Sequence, residues 1–278
     1  MAIMLGLAVA LSYGAADFFG GLASKRASLA SVIVVSQILG IPVLLVLLPL
    51  VGGHPTLRGI GLGAIGGLGG GFGLACLYRG LARGRMSVVA PITAIGAAVL
   101  PVLFGLATGE RPTYLALVGV LLALVAVVLV SRVEGDEAQA GGGRSSLVLA
   151  ALGGVGFGIV FICLARTGRN VGLWPLVGTR AASVSMLALG ALVTRRPLRP
   201  PRPVMPTVVA AGALDMTANV LYVLAVKQGL LSLVAVLSSL YPAATVVLAR
   251  VVLRERIGRL QLGGLALAGA GVLLIATG

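Results

Sequence analysis

The sequence predicts an all-α polytopic membrane protein, with ten transmembrane helices arranged as two five-helix repeats of inverted topology. Three observations predict it. Of 278 residues, 59% are hydrophobic and 10% charged, against about 25% charged in a soluble domain. The apolar residues come in runs of roughly 20, enough to cross a hydrocarbon core about 30 Å thick. Finally, the chain repeats itself. At an offset of 145, residues 87–131 match residues 232–276 at 15 of 45 positions, and Glu110-Arg111 falls on Glu255-Arg256. The alternation of a membrane β-barrel is absent, and lipid leaves helices as the way for separate spans to satisfy their backbone groups.

The first half holds spans at 2–23, 31–51, 59–82, 86–107 and 112–131. Span three ends at Arg83-Gly84-Arg85, and span five at the longest polar segment, Arg132 to Ser146, with Glu134, Asp136, Glu137 and Gly141-Gly142-Gly143. That segment is the expected linker, dividing a unit at 1–131 from one at 146–278 across residues 132–145. The second half holds spans at 146–166, 174–193, 204–226, 231–253 and 257–277. Trp174 opens span seven as an interfacial anchor. The basic, Pro-rich Arg195–Pro206 is a short, stiff connection, and Lys227-Gln228-Gly229 separates spans eight and nine. Five spans per unit is an odd number, so the second copy enters the membrane from the opposite side, a plan common among secondary transporters. The first spans align too: an offset of 142 pairs Gly14 with Gly156, Phe19 with Phe161 and Ala23 with Ala165.

The net charge of +14 does not predict a nucleic-acid partner, because the basic residues sit singly at the ends of apolar runs. They read as orientation signals. Loops after odd-numbered spans, with the adjoining span ends, carry fifteen Lys and Arg, and loops after even-numbered spans carry five. The positive-inside rule then puts the odd loops in the cytoplasm and both termini outside. The N-terminus lacks the positive region of a secretory signal, so an uncleaved first helix is expected. Cys76 and Cys163 lie within spans, and no disulfide framework or metal spacing is present. His54 stands alone in a loop. No metal or other cofactor is expected.

Gly61, Gly63 and Gly66 match a dinucleotide-binding spacing, but the preceding strand and following acidic residue are missing. Gly63, Gly67 and Gly71 recur every four residues, a spacing that lets membrane helices approach closely. Charges inside spans say more, since each costs a few kcal/mol unless it faces the protein interior or a watery cavity. Asp17, Arg180 and Asp215 qualify. Each faces an uncharged residue in the repeat: Ile159, Gln37 and Gly71. Asp215 is the first candidate for proton coupling and Asp17 the second, because a carboxyl in an apolar setting can load and release a proton near neutral pH. Arg180 could hold a substrate carboxylate or phosphate through two parallel bonds, or form a structural pair with one Asp. Asn219 lies one turn from Asp215, and Tyr222 follows at i+7; Tyr13 lies one turn before Asp17. Tyr78, Ser238, Ser239 and Tyr241 complete the substrate-binding candidates. Pro91, Pro101 and Pro242 interrupt spans four and nine, where broken helices point to a binding region. The Glu110 and Glu255 pairs read as salt-bridged loops or helix N-terminal charges.

Several blocks carry a family resemblance. Leu77-Tyr78 and Leu221-Tyr222 precede the basic breaks; Ser87–Ala90 and Ser232–Ala235 open spans four and nine. Gly109-Glu110-Arg111 and Arg254-Glu255-Arg256 precede spans five and ten, and Tyr13-Gly14-Ala15-Ala16-Asp17-Phe18 lies in span one. Over nearly its whole length the chain resembles the EamA group of the drug/metabolite transporter superfamily. The resemblance implies export of a small metabolite from a bacterial cytoplasmic membrane. Residues and resemblance together predict a secondary transporter working by alternating access, with proton-coupled export as the first reading and an uncoupled uniporter or exchanger as the second. Expected partners are a small-molecule substrate and membrane lipids, with no nucleic acid, no ATPase and a monomeric or homodimeric state. No nucleophile or metal constellation suggests an enzyme.

Overall fold

The computed structural model describes residues 1–83, 86–131, 144–168, 170–195, 197–252, 254 and 258–278, and within these the side chains at 78, 81–83, 86–88, 90, 91 and 144 are left out. Among the described residues all regular structure is helical. In chain order the helices are α1 (Ala2–Ser24), α2 (Leu29–Leu39), α3 (Ile41–Val51), α4 (Leu57–Arg83), α5 (Met86–Ala107), α6 (Tyr114–Val130), α7 (Arg144–Ala165), α8 (Trp174–Val193), α9 (Met205–Val226), α10 (Leu231–Ser238), α11 (Tyr241–Val252) and α12 (Arg259–Thr277). Eight segments are long and apolar enough to cross a membrane, counting α2 with α3 and α10 with α11 as continuous; Ile92–Ala107 and Tyr114–Val130 are shorter apolar helices.

Two expected spans are broken, each for a local reason. Between α2 and α3 the chain turns at Gly40, and Pro42 follows. Pro42 has no N–H to give the Ile38 carbonyl one turn back. Between α10 and α11 it turns at Ser239 and Leu240, and Pro242 cannot donate to Ser238 in the same way. Elsewhere polar side chains start helices: Ser28 accepts from the Ser31 amide at 3.3 Å, and Thr113 from the Ala116 amide at 3.2 Å.

The helices pair across the two halves. α4 packs on α7 and α8, and α9 packs on α1 and α2; α5 packs on α7, and α10 and α11 pack on α1. α2 meets α8, α5 meets α10, and α6 meets α12. Exchanging each element of one half for its counterpart in the other leaves this set of pairings unchanged. Small residues allow the approach. A Cβ on Gly67 of α4 would lie 2.9 Å from the Thr179 Cα in α8, and one on Gly212 of α9 would lie 3.0 Å from the Ser36 carbonyl carbon in α2.

Loops group by parity. His54 donates its amide to the Asn170 carbonyl at 3.0 Å, and the Lys227 Nζ donates to the Gly172 carbonyl at 3.2 Å. Glu110 accepts from the amides of Leu231 at 2.7 Å and Ser232 at 2.9 Å, so it caps the start of α10. These are loops after even-numbered spans. Both chain ends join them: Ala2 packs beside Gly229, and Gly278 beside Ala116. On the opposite face the Ser28 hydroxyl donates to the Pro197 carbonyl at 3.1 Å, and the Gln261 amide to the Val130 carbonyl at 3.3 Å. Glu110 thus acts at a helix N-terminus, one of the two roles expected of it. Glu255 and Arg256 lie outside the described residues.

Candidate functional site

A cavity of ≈ 180 Å³ lies at the centre of the bundle, walled by residues from both halves. α1 contributes Tyr13 and Asp17, one turn apart, and α9 contributes Asp215 and Asn219, also one turn apart. α8 presents Thr179, Arg180 and Ser183, and α2 presents Gln37. Tyr241 enters as the first residue of α11, directly after the break ahead of Pro242. Gly70 and Gly71 of α4 form wall without side chains, and Phe157, Val160 and Phe161 of α7 close another side.

The charged groups are not equivalent. Arg180 is 5% exposed. Its Nη2 pairs with Asp215 and its Nη1 donates to the Gln37 Oε1. Ser183 donates to the same Gln37 oxygen at 3.2 Å. Asn219 donates to the Asp215 backbone carbonyl at 2.7 Å and lies 3.5 Å from its carboxylate. Burying a guanidinium is tolerable when its donors are met in this way. Asp17 differs. Its side chain is exposed to the cavity, and among the described residues no hydrogen bond or ion pair reaches its carboxylate.

Toward the face that holds the chain ends the bundle is shut. Tyr222, Leu173, Leu176 and Leu164 are all 1% exposed or less. Tyr222 stacks on Phe161 with centroids 4.4 Å apart and donates its hydroxyl to the Phe161 carbonyl at 3.1 Å. Tyr13 leans on the same Phe161 at 6.5 Å. On α1 and α4, which start at that face, the lining residues run from mid-helix into the second half, whereas on α8 they begin in the first half, at Thr179, and on α7, which ends at that face, Phe157, Val160 and Phe161 lie in the second half. The cavity therefore sits mid-bundle, with Tyr222 and its neighbours packed on its chain-end side.

The structure brings together Asp17, Asp215, Arg180, Asn219, Tyr13 and Tyr241. It places three other candidates away from the cavity wall. Tyr222 belongs to the closed plug. Ser238 and Ser239 bond back to the Val234 and Val236 carbonyls, each at 2.7 Å, where α10 ends. The Tyr78 side chain lies outside the described residues. Sequence reasoning had not singled out Gln37, Thr179 or Ser183 as site residues. For Gln37 a signal existed: it is the repeat counterpart of Arg180, and the two now touch. Among the described residues no group of three His, Cys, Asp or Glu side chains could hold a metal.

Residues 1–132 and 144–277 each match the EamA-like transporter family. A protein of known crystal structure, 20% identical, superposes with a TM-score of 0.79 over 97% of this chain and 98% of its own. At that identity the likeness speaks for the fold alone. No curated protein matches the chain.

Proposed function

Since the chain belongs to the EamA-like transporter family, we propose that it moves a small metabolite across the membrane by alternating access, as a proton-coupled exporter. One observation carries the reading. A cavity between the two halves holds a carboxylate, Asp17, that no cation among the described residues engages, beside an ion pair that is already closed. A free carboxylate in such a cavity is the group that can exchange a proton with either side. Asp17 thus takes precedence over Asp215, whose carboxylate is committed to Arg180. Asn219, Tyr13 and Tyr241 are the remaining contacts for substrate.

The architecture in this reading is ten spans in two inverted units, 1–131 and 146–278, joined by residues 132–145. The symmetric pairing of helices supports it, as does the gathering of both chain ends with the even loops. With the basic face in the cytoplasm of a bacterial plasma membrane, the Tyr222–Phe161 plug lies on the outer side of the cavity. No ATP-binding motif occurs in the sequence, so a gradient supplies the energy. An uncoupled facilitator is the competing reading, favoured by the commitment of Asp215 to its pair.

The test begins with thermal-shift screening of the purified protein against a metabolite library at two pH values, since a ligand of the folded state raises its melting temperature. A hit is then followed in proteoliposomes with and without an imposed pH gradient. Accumulation against the substrate gradient that collapses with a protonophore supports coupling. Downhill flux indifferent to pH and to Asp17→Asn establishes the facilitator.

A further inference from the structure

We infer that the substrate is a small monovalent organic cation, an amine on an apolar or aromatic body, with Asp17 as its counter-ion. This rests on the transporter reading and narrows it. Among the described residues the charges lining the cavity are Asp17, Asp215 and Arg180. One guanidinium against two carboxylates leaves one negative charge, and geometry says which. Arg180 is covered and has Gln37 and Asp215 as acceptors, while Asp17 is open to the cavity with no donor or cation on it among the described residues. An anionic substrate would have to break the Arg180–Asp215 pair to find a cation among the described lining residues. An ammonium group reaches Asp17 without disturbing anything. A divalent cation would lack the second free carboxylate.

The rest of the wall fits the rest of such a molecule. Tyr13, Phe161 and Tyr241 line the same cavity as Asp17, and aromatic faces attract cations that have shed water. Leu74, Leu77 and Leu187 supply apolar surface. The volume of ≈ 180 Å³ limits the body to about one ring and a short chain. The same carboxylate can hold a proton or the amine but not both, so occupancy by one expels the other. That competition couples the two fluxes without a second titrating site. The other charged or titratable groups that line the cavity with Asp17 are Arg180, Asp215, Tyr13 and Tyr241.

The experiment uses three probes on one body: 2-phenylethylamine, 2-phenylethanol and 3-phenylpropionate. Their affinities for the purified full chain are measured by thermal shift and calorimetry, for wild type, Asp17→Asn and Asp17→Glu. The amine should bind more tightly than the alcohol, and more tightly as pH rises. Asp17→Asn should weaken the amine by about tenfold or more, the loss of one charge-assisted contact, and leave the alcohol unchanged; Asp17→Glu should retain most of the preference. Binding of the carboxylate in preference to the amine overturns the proposal. So does an amine affinity indifferent to Asp17→Asn, or no amine binding at all. The same proteins in liposomes loaded with a pH dye separate this from the transporter reading. Asp17-dependent amine binding without proton movement upholds the cation and removes coupled transport. A carboxylate that is bound and carried upholds transport and removes the cation.

Discussion

Replacing the members of the Arg180–Asp215 pair one at a time should have unequal consequences. In Asp215→Leu the guanidinium stays buried with only the Gln37 oxygen to answer it. Stranding one partner of a buried pair costs about 3–5 kcal/mol. In Arg180→Met the stranded group is Asp215, whose side chain is 31% exposed to the cavity. It has water and the nearby Asn219 amide at 3.5 Å, and Gln37 keeps the Ser183 hydroxyl at 3.2 Å. Solvent access reduces that loss to about 1–2 kcal/mol. The double variant removes both charges and should lie within about 1 kcal/mol of wild type, so that the two single losses together exceed the double loss by a coupling of about 5 kcal/mol. Thermal unfolding in micelles, followed by Trp174 fluorescence, reads these values. At about 2–4 °C per kcal/mol for a chain of this size, Asp215→Leu should melt roughly 10 °C early and the double variant within a few degrees of wild type. Equal losses in the two single variants, or an additive double variant, would refute the assignment of Arg180 as the buried, dependent member.

Three further outcomes are expected. Gly67→Ala should cost about 1–3 kcal/mol by forcing α4 and α8 apart, whereas Gly61→Ala, whose Cβ would meet nothing within 4 Å, should gain up to about 1 kcal/mol of helix propensity; parallel melts of the two variants decide it. Glu110→Ala should cost about 1–2 kcal/mol by uncapping α10, and Glu255→Ala the same if the halves are true repeats, so a large difference between their melts would count against that symmetry. Burial pushes the Lys227 ammonium below its ordinary value of 10.5. The unfolded chain then holds that proton at pH values where the folded chain has released it. Stability should therefore rise with pH from the lowered value up to 10.5, and Lys227→Met should flatten that part of the profile in a pH series of melts.

The eight long apolar segments were legible because length and apolarity decide them, and α8 begins and ends where the apolar run does. Glu110 was legible in kind, since a carboxylate at a helix start has few other uses. The α2–α3 break was not. Gly40 and Pro42 sit in an unbroken apolar run, where the same residues serve close packing. Tyr222 shows a different limit. Periodicity put it on the face of Asp215, and it does lie on that side of α9, but two turns further along it has left the cavity for the plug. A helical period gives the face and says nothing of depth. Ser238 and Ser239 mislead for another reason: a hydroxyl near a helix break has its own backbone to bond, and here it does so.

The contact between Gln37 and Arg180 joins counterpart positions of the two halves. In the proposed inverted-repeat architecture such a contact sits on the axis that relates them. If the halves trade conformations, Phe161 and Tyr222 part and the seal passes to the other side, whereas an on-axis contact maps onto itself. Gln37 and Arg180 would then serve as a fulcrum that persists while both gates exchange roles. The two orientations would be near-degenerate basins, and their balance would be tilted by those few positions where the copies differ. Asp17 against Ile159 is one of them, and its charge state would set which basin is lower.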